Sequence, residues 1–184
     1  MLERAIIDHA SPTLARLKLG NLFNHAMGTD FLAEFATLGR ELEDKGVTMT
    51  ILKAVNGKAL IYIYRSADLE KVLMCEDVRQ LLRACGYSRF DVSGALDTLK
   101  ARLNGIDAFP HEIGVFLGYP LTDIRGFICN EGRNCLCCGC WKVYSDPERA
   151  MKLFARYRKC TEAYARLFAA GFPLSRLTVQ AHPA

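Results

Sequence analysis

The chain has 184 residues, 51% of them hydrophobic and 24% charged, with 24 basic against 20 acidic side chains. That length suffices for a full core, and one domain over 1–184 is expected, with its core over 11–171 and an irregular tail over 172–184. A net charge of +4 is too mild to point to nucleic acid, and the longest nearly uncharged apolar run, Ile113 to Leu121, is too short to span a bilayer.

From the N-terminus, Leu2, Ala5, Ile6 and His9 recur at helical spacing and predict a short helix over residues 1–9. Ser11 followed by Pro12 reads as an N-cap and first-turn proline opening a second helix, which Gly20 stops. Asn21 to His25 reads as a short strand. The next helix is capped at Thr29 or Asp30, buries Phe31, Phe35, Leu38 and Leu42 on one face, and stops at Gly46. VTMTILKAV, Asn56-Gly57 and KALIYIYR then form a β-hairpin with a tight primed turn. Counting back from that turn pairs Leu52 with Ile61 and Thr50 with Ile63, and puts Met49 and Ile51 on the face of Leu60, Tyr62 and Tyr64. Both faces are apolar, so helices or a partner should cover both. Short helices follow from Ser66, around Glu76–Cys85, and from Asp91 or Ser93. The longest helix opens at Ser145-Asp-Pro-Glu148, which has the form of a capping box, and ends at Gly171.

The stretch between these frames, FPHEIGVFLGYPLTDIRGFICNEGRNCLCCGCWKVYSD, concentrates the unusual chemistry. Pro110 keeps Phe109 out of helical geometry and can itself begin a helix. A break at Tyr119-Pro120 and a second helix from Leu121 to Ile128 follow. Gly114 and Gly118, four apart, would share a bare helix face open to another backbone. His111 and Glu112 are the candidate catalytic residues, as a proton-transfer pair or metal ligand. Neighbours on a helix point about 100° apart, however, so the competing reading is a capping role at the helix start. Trp141, Val143 and Tyr144 predict a strand near 140–144 that joins the hairpin sheet.

Cys135, Cys137, Cys138 and Cys140 are the sharpest chemical feature. Thiolates bind zinc, copper(I) or iron, and four complete a tetrahedral shell. The spacing is not the usual C-x2-C, and in an extended strand Cys135 and Cys137 face one side while Cys138 and Cys140 face the other. All four converge only if the chain turns at Asn134 and Gly139. The bland alternative is that they fill a core beside Trp141. Arg133 and Lys142 flank the cluster and would favour thiolate reactivity. The opening run MLERAIIDHASPTL lacks a basic start followed by a long apolar stretch, so a secretion signal is not expected. A cytoplasmic location follows as the expectation, where eight cysteines are more plausibly buried, metal-bound or redox-active than disulfide-bonded.

The last helix also carries Arg149, Lys152, Arg156 and Lys159 at helical spacing, a face for an anion or an acidic protein partner unless it is only solvated. There is no P-loop, no GxGxxG after a strand, no HExxH and no GxSxG. NTP hydrolysis, dinucleotide redox, zinc proteolysis and serine esterase chemistry lose support accordingly.

PTLARLKLGNLF, FPHEIGVFLGYPLTDIRGFI and GCWKVYSDPERAMKLFARYRKC together resemble the bacterial family catalogued as domain of unknown function 3793, over roughly Ser11 to Gly171. The resemblance implies an uncharacterised bacterial protein of about this length and supplies no catalytic residues. It gives weight to the His111–Pro120 block as a shared surface. The resulting expectation is an α+β domain: a small, mainly antiparallel sheet, made of hairpin 47–65 plus a strand near 140–144, wrapped by about six helices. For function, a thiol- or metal-dependent accessory or redox protein is expected, with zinc or iron as the metal. The alternative is a non-catalytic module docking a protein through the His111–Pro120 surface or the basic helix face.

Overall fold

A computed structural model describes residues 1–105 and 109–180. The architecture is α+β. Strands β1 (Gly20–Ala26), β2 (Val47–Val55) and β3 (Lys58–Arg65) form an antiparallel sheet in the order β1-β3-β2. Both faces are covered by helices from this chain, as two apolar faces require. On one face lie α1 (Leu2–Leu14) and α2 (Phe31–Glu43), whose Ile6, Ile7, Leu38 and Leu42 pack on Phe23, Met49, Ile61 and Ile63. On the other lie α3 (Ser66–Met74), α4 (Glu76–Ala84), α5 (Val92–Asn104), α6 (Ile113–Phe116) and α7 (Leu121–Cys129). Their Leu69, Leu82, Leu99, Phe116 and Ile124 join the cluster around Tyr62 and Tyr64. The long α8 (Pro147–Ala169) runs along α1, and α9 (Leu174–Leu177) closes the first cluster with Leu174 and Leu177.

Asn56 and Gly57 both have positive φ, 49° and 69°, as the primed turn demands. The register departs from simple counting after the third pair from the turn. Lys53 pairs with Leu60 but Ile51 pairs with Ile61, so Leu52 is bulged out of the ladder. One inserted residue exchanges the faces beyond it. Met49 and Ile51 therefore lie with Ile61 and Ile63, and Leu52 lies with Tyr62.

Other expectations are corrected by packing. Ser11 and Pro12 start no helix; α1 runs through both and ends at Leu14. Ser11 Oγ bonds back to the Ile7 carbonyl, and Pro12 forgoes only its bond toward the exposed Asp8 turn, in the last turn where the helix is already ending. The Trp141 strand does not join the main sheet. It is β5 (Lys142–Val143), paired with β4 (Cys137–Cys138) in a separate two-stranded hairpin. Its strands are two residues each, because Trp141, Val143, Phe154 and Tyr157 make a small apolar cluster of their own that turns the hairpin toward α8. Nine helices, rather than about six, occur among the described residues, and the tail contains α9. Of that tail, 181–184 lie outside the described residues.

Arg65, at the end of the central strand, is 2% exposed. Its guanidinium donates to the carbonyls of Thr13 at 3.0 Å, Leu14 at 2.6 Å and Lys45 at 2.9 Å. It thus adds a charged donor to the carbonyls at the end of α1, which also accept from the Arg16 and Val179 N–H groups, and ties them to the entry of β2. Burial, with Arg16 nearby, pushes its pKa down to about 10, so the group stays charged at neutral pH. Arg65→Met should remove three charge-assisted hydrogen bonds, leave the Lys45 carbonyl without its side-chain donor, and cost about 3 kcal/mol, read as a lower urea midpoint with an unchanged m-value.

Candidate functional site

The site begins with one buried carboxylate. Asp123 sits in the first turn of α7, 3% exposed. Its Oδ2 accepts from Trp141 Nε1 at 2.8 Å. Its Oδ1 accepts from the backbone N–H of Tyr144 and of Ser145, both at 2.9 Å, and from Ser145 Oγ at 2.8 Å. Ser145 is thereby drawn away from helix capping. Asp146 caps α8 instead, accepting from the Arg149 N–H. The β4–β5 hairpin is thus pinned at both ends of β5. Its tip is held against α8 at Gly139, where a Cβ would lie 2.3 Å from the Phe154 ring. No larger residue fits that approach without displacing the ring.

Held in this way, Trp141 stacks on Tyr119 with centroids 4.7 Å apart and meets Phe154 edge-on at 4.5 Å. Lys18 Nζ lies over the far side of Tyr119, 5.3 Å from its centroid. Tyr119 Oη donates to the Cys140 carbonyl at 3.1 Å. Burial and the neighbouring Cys140 push the Tyr119 hydroxyl up to about 12.

Between this hairpin and the α6–α7 turn lies a cavity of about 320 Å³. Its walls are mainly apolar, including Ile124, Phe127, Leu117 and Trp141, and its polar groups include His111, Cys138, Cys140 and Lys142. The His111 ring packs 4.8 Å from Phe127, and Lys142 Nζ lies 5.8 Å from the same ring while donating to the Gly132 carbonyl at 2.7 Å. An apolar cavity with a few converging polar groups is the form small-molecule sites take.

The candidate residues are distributed by local geometry. His111 lines the cavity; Glu112 does not. Glu112 is buried on the opposite side, bonded to Arg102 Nε at 2.5 Å and to Tyr87 Oη at 3.2 Å. The two therefore do not form a proton-transfer pair, and Glu112 ties the α6 start to α5. Burial and Glu112 raise the Tyr87 hydroxyl strongly.

The four clustered cysteines do not surround a common centre. Cys137 and Cys138 are adjacent on β4 and so face opposite ways. Cys137 packs on the Trp141 cluster, while Cys138 lines the cavity. Cys135 and Cys137 are half-buried; Cys138 and Cys140 are exposed. Asn134 does adopt a turn conformation, with φ 57°, but the chain does not bring the sulfurs together. Among the described residues no three His, Cys, Asp or Glu side chains are grouped to hold a metal ion.

In the His111–Pro120 block, residues 112–117 are buried, so only its ends reach the surface. Gly118 is no helix-face glycine. It has φ +72° in the turn after α6, where a Cβ would meet Leu19, and Gly114 faces Ile124 and Tyr119 rather than a backbone. Arg149, Lys152, Arg156 and Lys159 are exposed on α8, and Lys152 is paired with Glu148 at 2.6 Å. Asp123, Tyr119 and Lys18 are functional candidates that patterning did not single out. For Asp123 the available signal was a lone carboxylate inside the apolar run from Ile113 to Ile124.

Replacing Asp123 by Asn keeps one acceptor but turns an NH2 group toward donors. Asp123→Asn should cost about 2–3 kcal/mol and release the hairpin. Trp141 is the sole tryptophan, so its emission should shift to the red in the folded variant.

No described helix is long and apolar enough to cross a membrane. No curated protein and no solved structure matches the chain. Residues 6–178 match the model of a family described as a protein of unknown function, DUF3793, a stretch slightly longer than the resemblance seen in the sequence motifs. That match spans nearly the whole chain, and the protein belongs to the DUF3793 family.

Proposed function

We propose that this is a thiol-dependent protein that takes a small, largely apolar molecule into the hairpin cavity and presents it to Cys138. The reading is supported by one observation: an exposed cysteine lines an apolar cavity that also holds His111 and Lys142. His111 is the group on that wall suited to accept the thiol proton, and Lys142 the one suited to stabilise a thiolate. Cys140 is the weaker nucleophile at neutral pH, because desolvation raises its pKa although Lys18 pulls the other way. A metal-dependent form of the same reading would have to draw sulfurs from both faces of β4.

Labelling tests the proposal. Cys75 and Cys129 are exposed and lie outside the cavity, so they serve as internal controls. N-phenylmaleimide should modify Cys138 about tenfold faster than either control, and His111→Ala should slow Cys138 alone. Equal rates at all three cysteines would contradict the reading. Metal content after anaerobic purification separates the two forms, since stoichiometric metal lost in Cys138→Ser would favour the metal-dependent one.

A second reading rests on α8. Arg149, Arg156 and Lys159 have no carboxylate partner among the described residues, and Arg149, Lys152 and Arg156 outnumber Asp146 and Glu148 in the lining of a groove of about 460 Å³. This face suits an acidic protein segment. Arg149→Glu with Arg156→Glu should abolish binding of an acidic peptide and leave the Cys138 labelling rate unchanged.

A further inference from the structure

A second cavity, of about 460 Å³, also lined by Tyr119, lies between α1, the β1 entry and α8. Tyr119, Phe154 and Tyr157 supply aromatic walls, and Cys140 sits at the border with the first cavity. Its charged and titratable lining is His9 from α1, Lys18 before β1 and Arg158 from α8, with the weak acids Tyr119, Cys140 and Tyr157; no carboxylate lines it among the described residues, although Arg158 pairs with Glu162 at 4.0 Å.

Lys18 is the telling residue. Its ammonium is half-buried over the Tyr119 ring, and no carboxylate pairs with it among the described residues. A desolvated cation is costly unless it has a partner, and a ring face compensates only in part. The other near-buried charges of this protein are answered differently: Arg65 by three carbonyls, Asp123 by four donors, Glu112 by Arg102 and Tyr87. Lys18 is left facing a cavity.

We propose that this second cavity binds a small carboxylate with an apolar or aromatic body, its anionic end paired with Lys18 and its body against Tyr119, Phe154 and Tyr157. Arg158 and His9 at the rim draw the anion in, and Thr161 and Asn21 add polar contacts at the wall. The inference does not depend on chemistry at Cys138, because Cys138 lines the first cavity and not the second.

Burial lowers the Lys18 pKa to about 8, with the Cys140 thiolate opposing that shift. A bound carboxylate favours the protonated amine and must raise that pKa. By linkage, affinity is full below pH 8 and falls as pH rises through the free-state value. Tyr119 and Tyr157, both pushed up to about 12 by burial, stay neutral through this range.

The test uses the full chain with benzoate as probe, benzamide as its neutral counterpart and inorganic phosphate as an anion without an apolar body. Binding is followed by NMR of labelled lysine side chains. Benzoate should bind at least about tenfold more tightly than benzamide or phosphate, and should move the Lys18 titration to higher pH. Lys18→Gln should remove that preference while Arg65-dependent stability in urea stays unchanged, and Lys18→Arg should restore it. Benzamide binding as well as benzoate, or benzoate affinity unaffected in Lys18→Gln, would overturn the proposal. Phosphate binding more tightly than benzoate would equally overturn the assigned ligand class.

Discussion

A carboxylate taken out of water must be met by donors, and Asp123 is met by four, all from a short stretch after β4. No Lys or Arg pairs with it among the described residues, so dipoles and N–H groups carry the compensation. This requirement dictates the path of the chain. Trp141 must turn its indole N–H inward, Tyr144 and Ser145 must present consecutive backbone N–H groups, and the cap of α8 therefore falls to Asp146. A two-residue-long hairpin would not be stable alone. Here the carboxylate, the Trp141 stack and the Gly139 contact with Phe154 hold it.

The consequence for chemistry is that one short hairpin partitions the cysteines. The pleat sends Cys137 toward the apolar cluster and Cys138 toward the cavity with His111. Tyr119 lines two cavities beneath the hairpin: the first holds Cys138, His111 and Lys142, the second Lys18, Arg158 and His9, and Cys140 borders both. A dense run of cysteines thus gives two separate environments rather than one coordination shell. The same aromatic stack, from Lys18 through Tyr119 and Trp141 to Phe154, contributes to the walls of both cavities.

Local signals were legible where local physics decides. The Asn56-Gly57 hairpin, the Asp91 cap of α5, the break at Tyr119-Pro120 and the start of α8 next to Pro147 all follow from backbone preferences of a few residues. What was not legible depended on contacts distant in sequence. The bulge at Leu52 is set by the packing of two different helical layers, which no count from the turn contains. Pro12 looked like a helix start because its local rule is strong, yet Ser11 and Pro12 are buried in the last turn of a continuous α1, and that tertiary burial overrode it. Glu112 looked like a partner for His111 by adjacency, and Arg102 on α5, ten residues earlier, claimed it. Lys18 carries no pattern at all; its meaning comes only from the ring beneath it and the missing carboxylate.

The account stands on the claim that the Asp123 anchor positions Cys138 in its cavity. The most direct measurement is the ratio of Cys138 to Cys129 labelling by N-phenylmaleimide in folded wild-type and Asp123→Asn protein. Loss of the anchor should bring the ratio down to about one while the Cys129 rate stays constant. A Cys138 preference that survives intact in the folded variant would contradict the claim.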